Sequence, residues 1–256
     1  MTLFPYDLNH PDNSYSLPEP YKEISGLSPL DGNNCLAFVQ DEAVQIHLFD
    51  LASATITELT KHDDGDSEDL AVIGTTAYVL KSGKQPAIYQ VSDFQSNHAH
   101  FESYDLALDK NQDPEGLCHD ARRNRLLIAC KGPSTRDDPT RGIYAFDLQT
   151  MEMDPAPAYI IGSRDFLDDP EETFNPSGIA IHPRSNDLYV IGSKGEKMIV
   201  CYGMDGRFKE ALGLDKDQFM QPEGITFLSS GELVISSEGK KGKKAEILTF
   251  ALSQQS

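Results

Sequence analysis

PEGLCHDARRNRLLIACKG, residues 114–132, holds two short apolar runs separated by the turn residues DARRN. Two such runs around a polar turn are the signature of a β-hairpin. GIYAFDL, from Gly142, supplies a third run. The pattern occurs four more times. ISGLSPL from Ile24, SEDLAVI from Ser67, PSGIAIHP from Pro176 and PEGITFL from Pro222 match the first run. LAFVQDE, TAYVLKS, DLYVIGSKG and ELVISSEG match the second, and VQIHLFD, AIYQV, MIVCY and AEILTF the third. The positions equivalent to Gly116 are Gly26, Asp69, Gly178 and Gly224, so the spacings are 43, 47, 62 and 46.

A fourth, more polar strand precedes each new repeat: ATITEL, HFESYDL, APAYII and RFKEALG. Four antiparallel strands repeated every 40–50 residues or so describe a propeller blade. The expected fold is therefore all-β: one five-bladed β-propeller domain over residues 1–256. Residues 23–256 carry the five repeats, and 1–22 form a closing segment. Too few residues follow AEILTF for a fourth strand, whereas SYSLPEPY precedes the first repeat without a blade of its own. That segment is expected to complete the last blade and remove an exposed sheet edge. A six-bladed ring is the alternative, with a blade hidden in the 62-residue interval. Two loops there, GPSTRDDPTR and GSRDFLDDPEETFN, absorb the length instead. Short helical turns are expected at SRDFLDD and LDKDQFM. The absence of Trp removes the Trp-Asp signature of WD40 repeats.

The 256 residues include 41 acidic and 22 basic side chains, a formal charge of −19. Phosphate backbones select basic surfaces, so the charge argues against a nucleic-acid partner or an anionic membrane. No apolar run reaches the ~18 residues of a membrane helix, so no membrane span is expected. The start shows no basic n-region or apolar h-region. The expected location is cytoplasmic as the sequence stands, and periplasmic or extracellular if a leader was removed. Cys35, Cys118, Cys130 and Cys201 show no paired zinc spacing and read as free thiols in apolar segments. His119 and His182 occupy equivalent positions on two first strands and read as blade-packing residues.

In a propeller, the start of each first strand and the end of each second strand meet at one mouth of the central channel. The first ring reads Ser25, Glu68, Glu115, Ser177 and Glu223. The second reads Asp41 and Glu42, Lys81, Lys131, Lys194 and Glu238. With ARRN as the hairpin turn, Cys118 falls opposite Leu127, and Glu115 opposite Cys130, beside Lys131. Three carboxylates on one narrow axis need compensation by a cation, by the lysines, or by raised pKa values. Calcium is a good candidate, because it takes six to eight oxygens in irregular geometry. The candidate metal ligands are Glu68, Glu115, Glu223, Asp41, Glu42 and Glu238. Ser25, Ser177, Lys81, Lys131 and Lys194 are candidate ligand-binding residues of the mouth. An internal Glu–Lys network and an organic ligand are the alternatives.

The strings EISGLSPL, GDSEDLAVIGTTAYVLKSG, PEGLCHDARRNRLLIACKG, NPSGIAIHPRSNDLYVIGS and QPEGITFLSSGELVISSEG resemble the SdiA-regulated family over residues 20–250 or so. The resemblance implies a five-bladed bacterial propeller, distantly similar to NHL-type propellers, with a calcium site. Carried over position by position, its carboxylates are Glu68, Glu115 and Glu223, with Asp41, Glu42 and Glu238 closing second strands. Lys81, Lys131 and Lys194 depart from an acidic pattern. The expected function is a calcium-binding scaffold that recognises a small ligand or a protein partner through the channel mouth. One rival is a metal-dependent hydrolase of a lactone, ester or phosphoester, the ion activating water. Another is a structural propeller that binds proteins through its rim.

Overall fold

Five first strands, Ile24–Pro29, Ser67–Ile73, Pro114–Asp120, Phe174–Ile181 and Pro222–Phe227, stand side by side around one axis. Each contacts the next, and the fifth contacts the first, which closes the ring. The computed structural model describes residues 4–253 except 31, 33, 63–64, 134–139, 170 and 241. Second strands follow through hairpins: Cys35–Gln40, Thr76–Lys81, Arg125–Cys130, Leu188–Gly195 and Leu233–Ser237. Third strands are Ala43–Asp50, Ala87–Ser92, Thr140–Asp147, Met198–Tyr202 and Glu246–Phe250. Every pairing within a blade is antiparallel. The protein is a five-bladed β-propeller.

The hairpins turn where their residues tolerate a left-handed backbone. Gly32, Gly74, Asn124, Asn186 and Gly231, one in each first hairpin, have φ between 48° and 99°. Gly and Asn adopt that conformation at little cost. Outer strands complete the first, second and fourth blades at Thr55–His62, His100–Asp105 and Phe208–Gly213. The third blade's outer strand is split into Glu152–Met153 and Tyr159–Gly162. This split, with a 3-10 turn at Ser163–Asp165, accounts for the long repeat without a sixth blade. LDKDQFM forms a hydrogen-bonded turn, Phe219 N–H to Asp215 O at 2.8 Å, but no helix.

The fifth blade takes its outer strand from Asn13–Ser16, paired with Glu246–Phe250 from Asn13↔Thr249 to Ser16↔Glu246. The chain is held a second time, further upstream, by an anchor that sequence pattern misses. Phe4, Tyr6 and Leu8 are buried among Tyr189, Phe227, Leu233 and Phe250. The Tyr6 hydroxyl donates to Gly231 O at 2.6 Å.

Packing alternates along each first strand. Leu27, Leu70, Leu117, Ile179 and Ile225 pack on the preceding blade, whereas Ala71, Cys118 and Ala180 pack on the following one. Each seam also carries a polar tie. Val72 N–H donates to Ser28 Oγ at 3.0 Å between blades 1 and 2. Ser82 Oγ donates to Asp113 Oδ1 at 3.1 Å between blades 2 and 3. Arg141 holds Asn175 Oδ1 at 2.7 Å between blades 3 and 4. Ser177 Oγ donates to Pro222 O at 2.8 Å, and Ser236 Oγ to Ser25 O at 2.6 Å, which completes the circuit.

His119 and His182 are not equivalent. His119 faces Leu126 in the ladder, where the fourth blade has Ile181 facing Leu188; His182 lies one residue beyond. His182 Nδ1 accepts the Ser185 N–H at 3.0 Å, and its ring meets Phe227 edge-on at 4.9 Å. His182 serves packing between the fourth and fifth blades, whereas His119 lines the cavity at its end of the channel.

Candidate functional site

Every first strand is irregular at the same place. The ladder shifts between Ile24 and Leu27, Ser67 and Asp69, Pro114 and Gly116, Pro176 and Gly178, and Pro222 and Ile225. The residues released by these bulges include Ser25, Glu68, Glu115, Ser177 and Glu223, the whole expected first ring. A bulge frees a residue from the ladder and re-aims its side chain. Glu115 therefore does not lie opposite Cys130; Pro114 does, and Glu115 is the extra residue. Cys118 does face Leu127.

The ladder resumes at the Gly position itself in blades 2, 3 and 4, at Asp69, Gly116 and Gly178, and one residue later in blades 1 and 5, at Leu27 and Ile225. The ring positions Gly116, Gly178 and Gly224 face the next blade closely. A Cβ on Gly178 would lie 2.6 Å from Glu223 O, and one on Gly224 2.8 Å from Ser25 O. The second blade carries Asp69 at this position. Its carboxyl accepts Leu70 N–H at 2.8 Å and Leu117 N–H of the third blade at 2.7 Å. It also lies against Gly26 of the first blade. One buried side chain so joins three blades next to the acidic ring. Burial pushes the Asp69 carboxyl well up, and the two N–H donors hold it down only in part.

The ladder pairs Ile24↔Gln40, Ser67↔Lys81, Pro114↔Cys130, Pro176↔Gly192 and Pro222↔Ser237 flank the bulges and define the second ring; only in the fourth blade does the ladder run on, to Phe174↔Gly195. The next residues outward are Asp41, Ser82, Lys131, Ser193 and Glu238. Of the three expected lysines, Lys131 thus occupies the ring. Lys81 falls one residue short and lines a groove of about 460 Å³ with Asp41, Glu42 and Asp66. Lys194 falls one residue beyond, pairs with Asn175 and is exposed. Glu42 is exposed beside Asp41 in the groove. Ser82 and Ser193 were not legible as ring members, because bulges displace the register by one residue.

Electrostatics show which groups meet. Lys131 Nζ lies 2.5 Å from Glu115 Oε1, with only 12% and 8% of the two side chains exposed. Burial, then Glu115 and then Glu223 push the Glu68 carboxyl up to about 9, against the pull of Lys131. Burial pushes Glu115 up to about 7, with Lys131 opposing and Glu223 adding to the rise. Glu223 is raised by burial, and Lys131, Gln221 and Ser193 draw it back. Ser193 Oγ is buried beside Glu223, outside strict hydrogen-bond geometry. Glu238 is pushed up to about 8 by burial, Glu223, Asp41 and Glu23; it also accepts a hydrogen bond from Gln221 Nε2. Asp41 is raised by burial and by Glu23, whose carboxyl hydrogen-bonds it. Burial would lower the Lys131 ammonium, but Glu115, Glu223 and Asp113 outweigh it and the net shift is upward.

Lys131 is thus in contact with Glu115, Glu68 and Glu223 act on this pair through their charge, Glu238 acts on Glu223, and Asp41 lies further out with Glu23. Ser25 and Ser177 supply ring backbone and interblade ties rather than charge. Among the described residues, no three His, Cys, Asp or Glu side chains form a group placed to hold a metal ion as they stand. The stretch HDDGDSED, residues 62–69, is acidic, and its Asp63 and Asp64 lie outside the described residues. No helix is long and apolar enough to cross a membrane.

Solved structures share the architecture. A PQQ-bound aldose sugar dehydrogenase from Streptomyces coelicolor is 12% identical, with a TM-score of 0.60, covering 94% of this chain and 97% of that one. A chain of a nidogen/laminin complex is 18% identical, with a TM-score of 0.58, covering 86% and 74%. A luciferin-regenerating enzyme is 13% identical, with a TM-score of 0.55, covering 94% and 95%. At such identities the likeness speaks for the fold alone. No curated protein is significantly similar in sequence. The family model for SdiA-regulated proteins, by contrast, matches residues 13–242, and with the five blades and their repeated bulges in place, the chain belongs to the SdiA-regulated family.

Proposed function

We propose that the protein is a non-enzymatic recognition scaffold whose binding face is the acidic mouth of the channel. In this reading the mouth takes a cation, calcium above all, on Glu68, Glu115 and Glu223, and a small ligand or a protein partner docks over it. One observation carries the reading: the buried Lys131 ammonium rests on Glu115, and the carboxyls of Glu68 and Glu223, from two other blades, act on the same pair. The donors that meet there are carboxyl and hydroxyl oxygens, the chemistry of a hard cation. As they stand, these donors do not form a metal-ready group. The ion would enter in exchange for protons and for the Lys131 contact. Calcium supplies two positive charges where one ammonium now stands, which offsets the carboxylates more fully.

The test is thermal unfolding of chelator-treated protein as calcium is added back. A ligand bound by the folded state alone stabilises it by about 2.7 kcal/mol at a hundredfold excess over Kd. For a domain of this size that is a rise in Tm of roughly 5–11 °C. The rise is expected to saturate and to vanish in Glu115→Gln combined with Glu223→Gln. A flat response in the unmutated protein would overturn the calcium site and leave a metal-free Glu–Lys network with a protein-binding rim.

A further inference from the structure

We infer that Lys131 is the resident cation of the channel mouth: a tethered ammonium that fills the place of an incoming cation, and whose chemical class, the primary ammonium, the site therefore accepts. The inference rests on reading the mouth as a cation site, and it adds the device that regulates access to it.

Three observations carry it. First, Glu68, Glu115 and Glu223 act on one lysine, and Lys131 sits at the position that the other blades fill with Asp41, Ser82, Ser193 and Glu238. Second, its Nζ is already on Glu115 at 2.5 Å, in a largely buried place, and Glu223 and Asp113 act on the same ammonium. Third, its root is pinned. Lys131 N–H donates to Asp113 O and Gly132 N–H to Gln112 O, both at 2.8 Å. A Cβ on Gly132 would lie 1.7 Å from Asn111 O, so the backbone runs tight against the neighbouring loop. The strand end cannot withdraw; the flexible four-carbon stem is the part that moves. The buried Ser193 hydroxyl, beside Glu223 but outside strict hydrogen-bond geometry, adds a further oxygen facing the same place.

Displacing Lys131 leaves its ammonium free to swing to the mouth, where an arriving anion or partner carboxylate would pair with it. Cation entry and exposure of a lysine at the docking face are thereby one event.

The experiment compares the unmutated protein with Lys131→Met, Lys131→Arg and Lys131→Ala, each verified as folded by circular dichroism. Calcium and methylammonium are the probes, read by calorimetric titration and by Tm. Lys131→Met, which keeps length and loses charge, is expected to bind calcium at least about tenfold more tightly. Lys131→Arg is expected to bind it no more tightly than the unmutated protein. Methylammonium is expected to raise the Tm of Lys131→Ala saturably, and tetramethylammonium to fail. Where the unmutated protein binds calcium, unchanged or weaker binding in Lys131→Met would overturn the inference. If no form responds to calcium but methylammonium rescues Lys131→Ala, the calcium reading falls and the resident-ammonium inference stands. If neither probe acts on Lys131→Ala, the inference falls. Should Lys131→Met fail to fold, Lys131→Gln carries the calcium comparison.

Discussion

The two mouths of the channel are made from opposite ends of the same five strands, yet they differ in chemistry. At the strand starts, five bulges release Ser25, Glu68, Glu115, Ser177 and Glu223 from the ladder. At the strand ends the ladder is regular, and Pro29, Val72, His119, Ile181 and Phe227 line a cavity of about 160 Å³. The N-terminal segment packs beside that end, with Tyr6 6.0 Å from the Phe227 ring. One mouth gathers buried carboxyls and an ammonium; the other is lined by uncharged side chains, among them Ser28, Thr226 and the half-buried His119 imidazole. The lesson is that backbone irregularity, not strand composition, decides where polar chemistry collects. A regular strand commits its alternate side chains to the neighbouring blades, and a bulge spares one residue from that commitment.

The largest effect is expected from breaking the packed end. Removing residues 4–17 takes away the closing strand together with Phe4, Tyr6, Leu8 and Leu17. Each buried Phe or Leu contributes about 1.5–3 kcal/mol, so a loss of more than about 5 kcal/mol, or of cooperative unfolding altogether, is expected in calorimetry. Retention of the original Tm would show that the strand pairing does not close the ring.

Next comes the ring beside the bulges. Gly178→Ala sets a Cβ against the Glu223 carbonyl, and overpacking of this kind costs roughly 1–3 kcal/mol. Gly213→Ala, where a Cβ meets nothing within 4 Å, is expected to stay within about 0.5 kcal/mol. Equal urea midpoints for the two variants would remove close approach as the reason for the glycine.

The two mouths are also expected to titrate in opposite directions. Glu68, Glu238 and Glu115 are raised to about 9, about 8 and about 7. A carboxyl raised on folding stabilises the fold below its ordinary value, and that contribution is lost as pH climbs through the folded value. The acidic mouth therefore weakens the fold between about pH 4.5 and 9, by an expected ~2 kcal/mol or about 4–8 °C in Tm. Glu68→Gln should flatten this slope. His119 is lowered by burial, with Asp120 opposing, so its contribution is lost instead as pH falls below about 6.5. Tm–pH curves of Glu68→Gln and His119→Asn separate the two ends; a Glu68→Gln curve parallel to the original would refute the buried-carboxyl account.

The smallest effect tests the packed mouth alone. Ser28→Ala deprives the buried-side Val72 N–H of its acceptor and is expected to cost ~1–2 kcal/mol at every pH, without altering the response to calcium. A changed calcium response would couple the two mouths.

Sequence pattern was informative wherever the physics is local. Period-two apolar runs, Gly and Asn at hairpin turns, and a last repeat lacking an outer strand lead to the five blades and the closing segment at Asn13–Ser16. Glu68, Glu115 and Glu223 were visible because they recur one residue before the ring position. Phe4, Tyr6 and Leu8 carried no signal, since a non-repeating anchor has no periodicity to match. Lys81, Lys131 and Lys194 look interchangeable in the aligned repeats, yet a one-residue difference in register puts Lys131 in the ring, Lys81 in a groove and Lys194 in solvent.

The order of strands, the blade count and the identity of the acidic ring were thus determined by the sequence itself, because hairpins and repeats arise between residues near in the chain. Which carboxyls share one buried place, which lysine answers them, and how Asp69 joins three blades were decided only by the tertiary structure. Those relations span residues tens of positions apart, and bulges that shift register by one residue determine who faces whom.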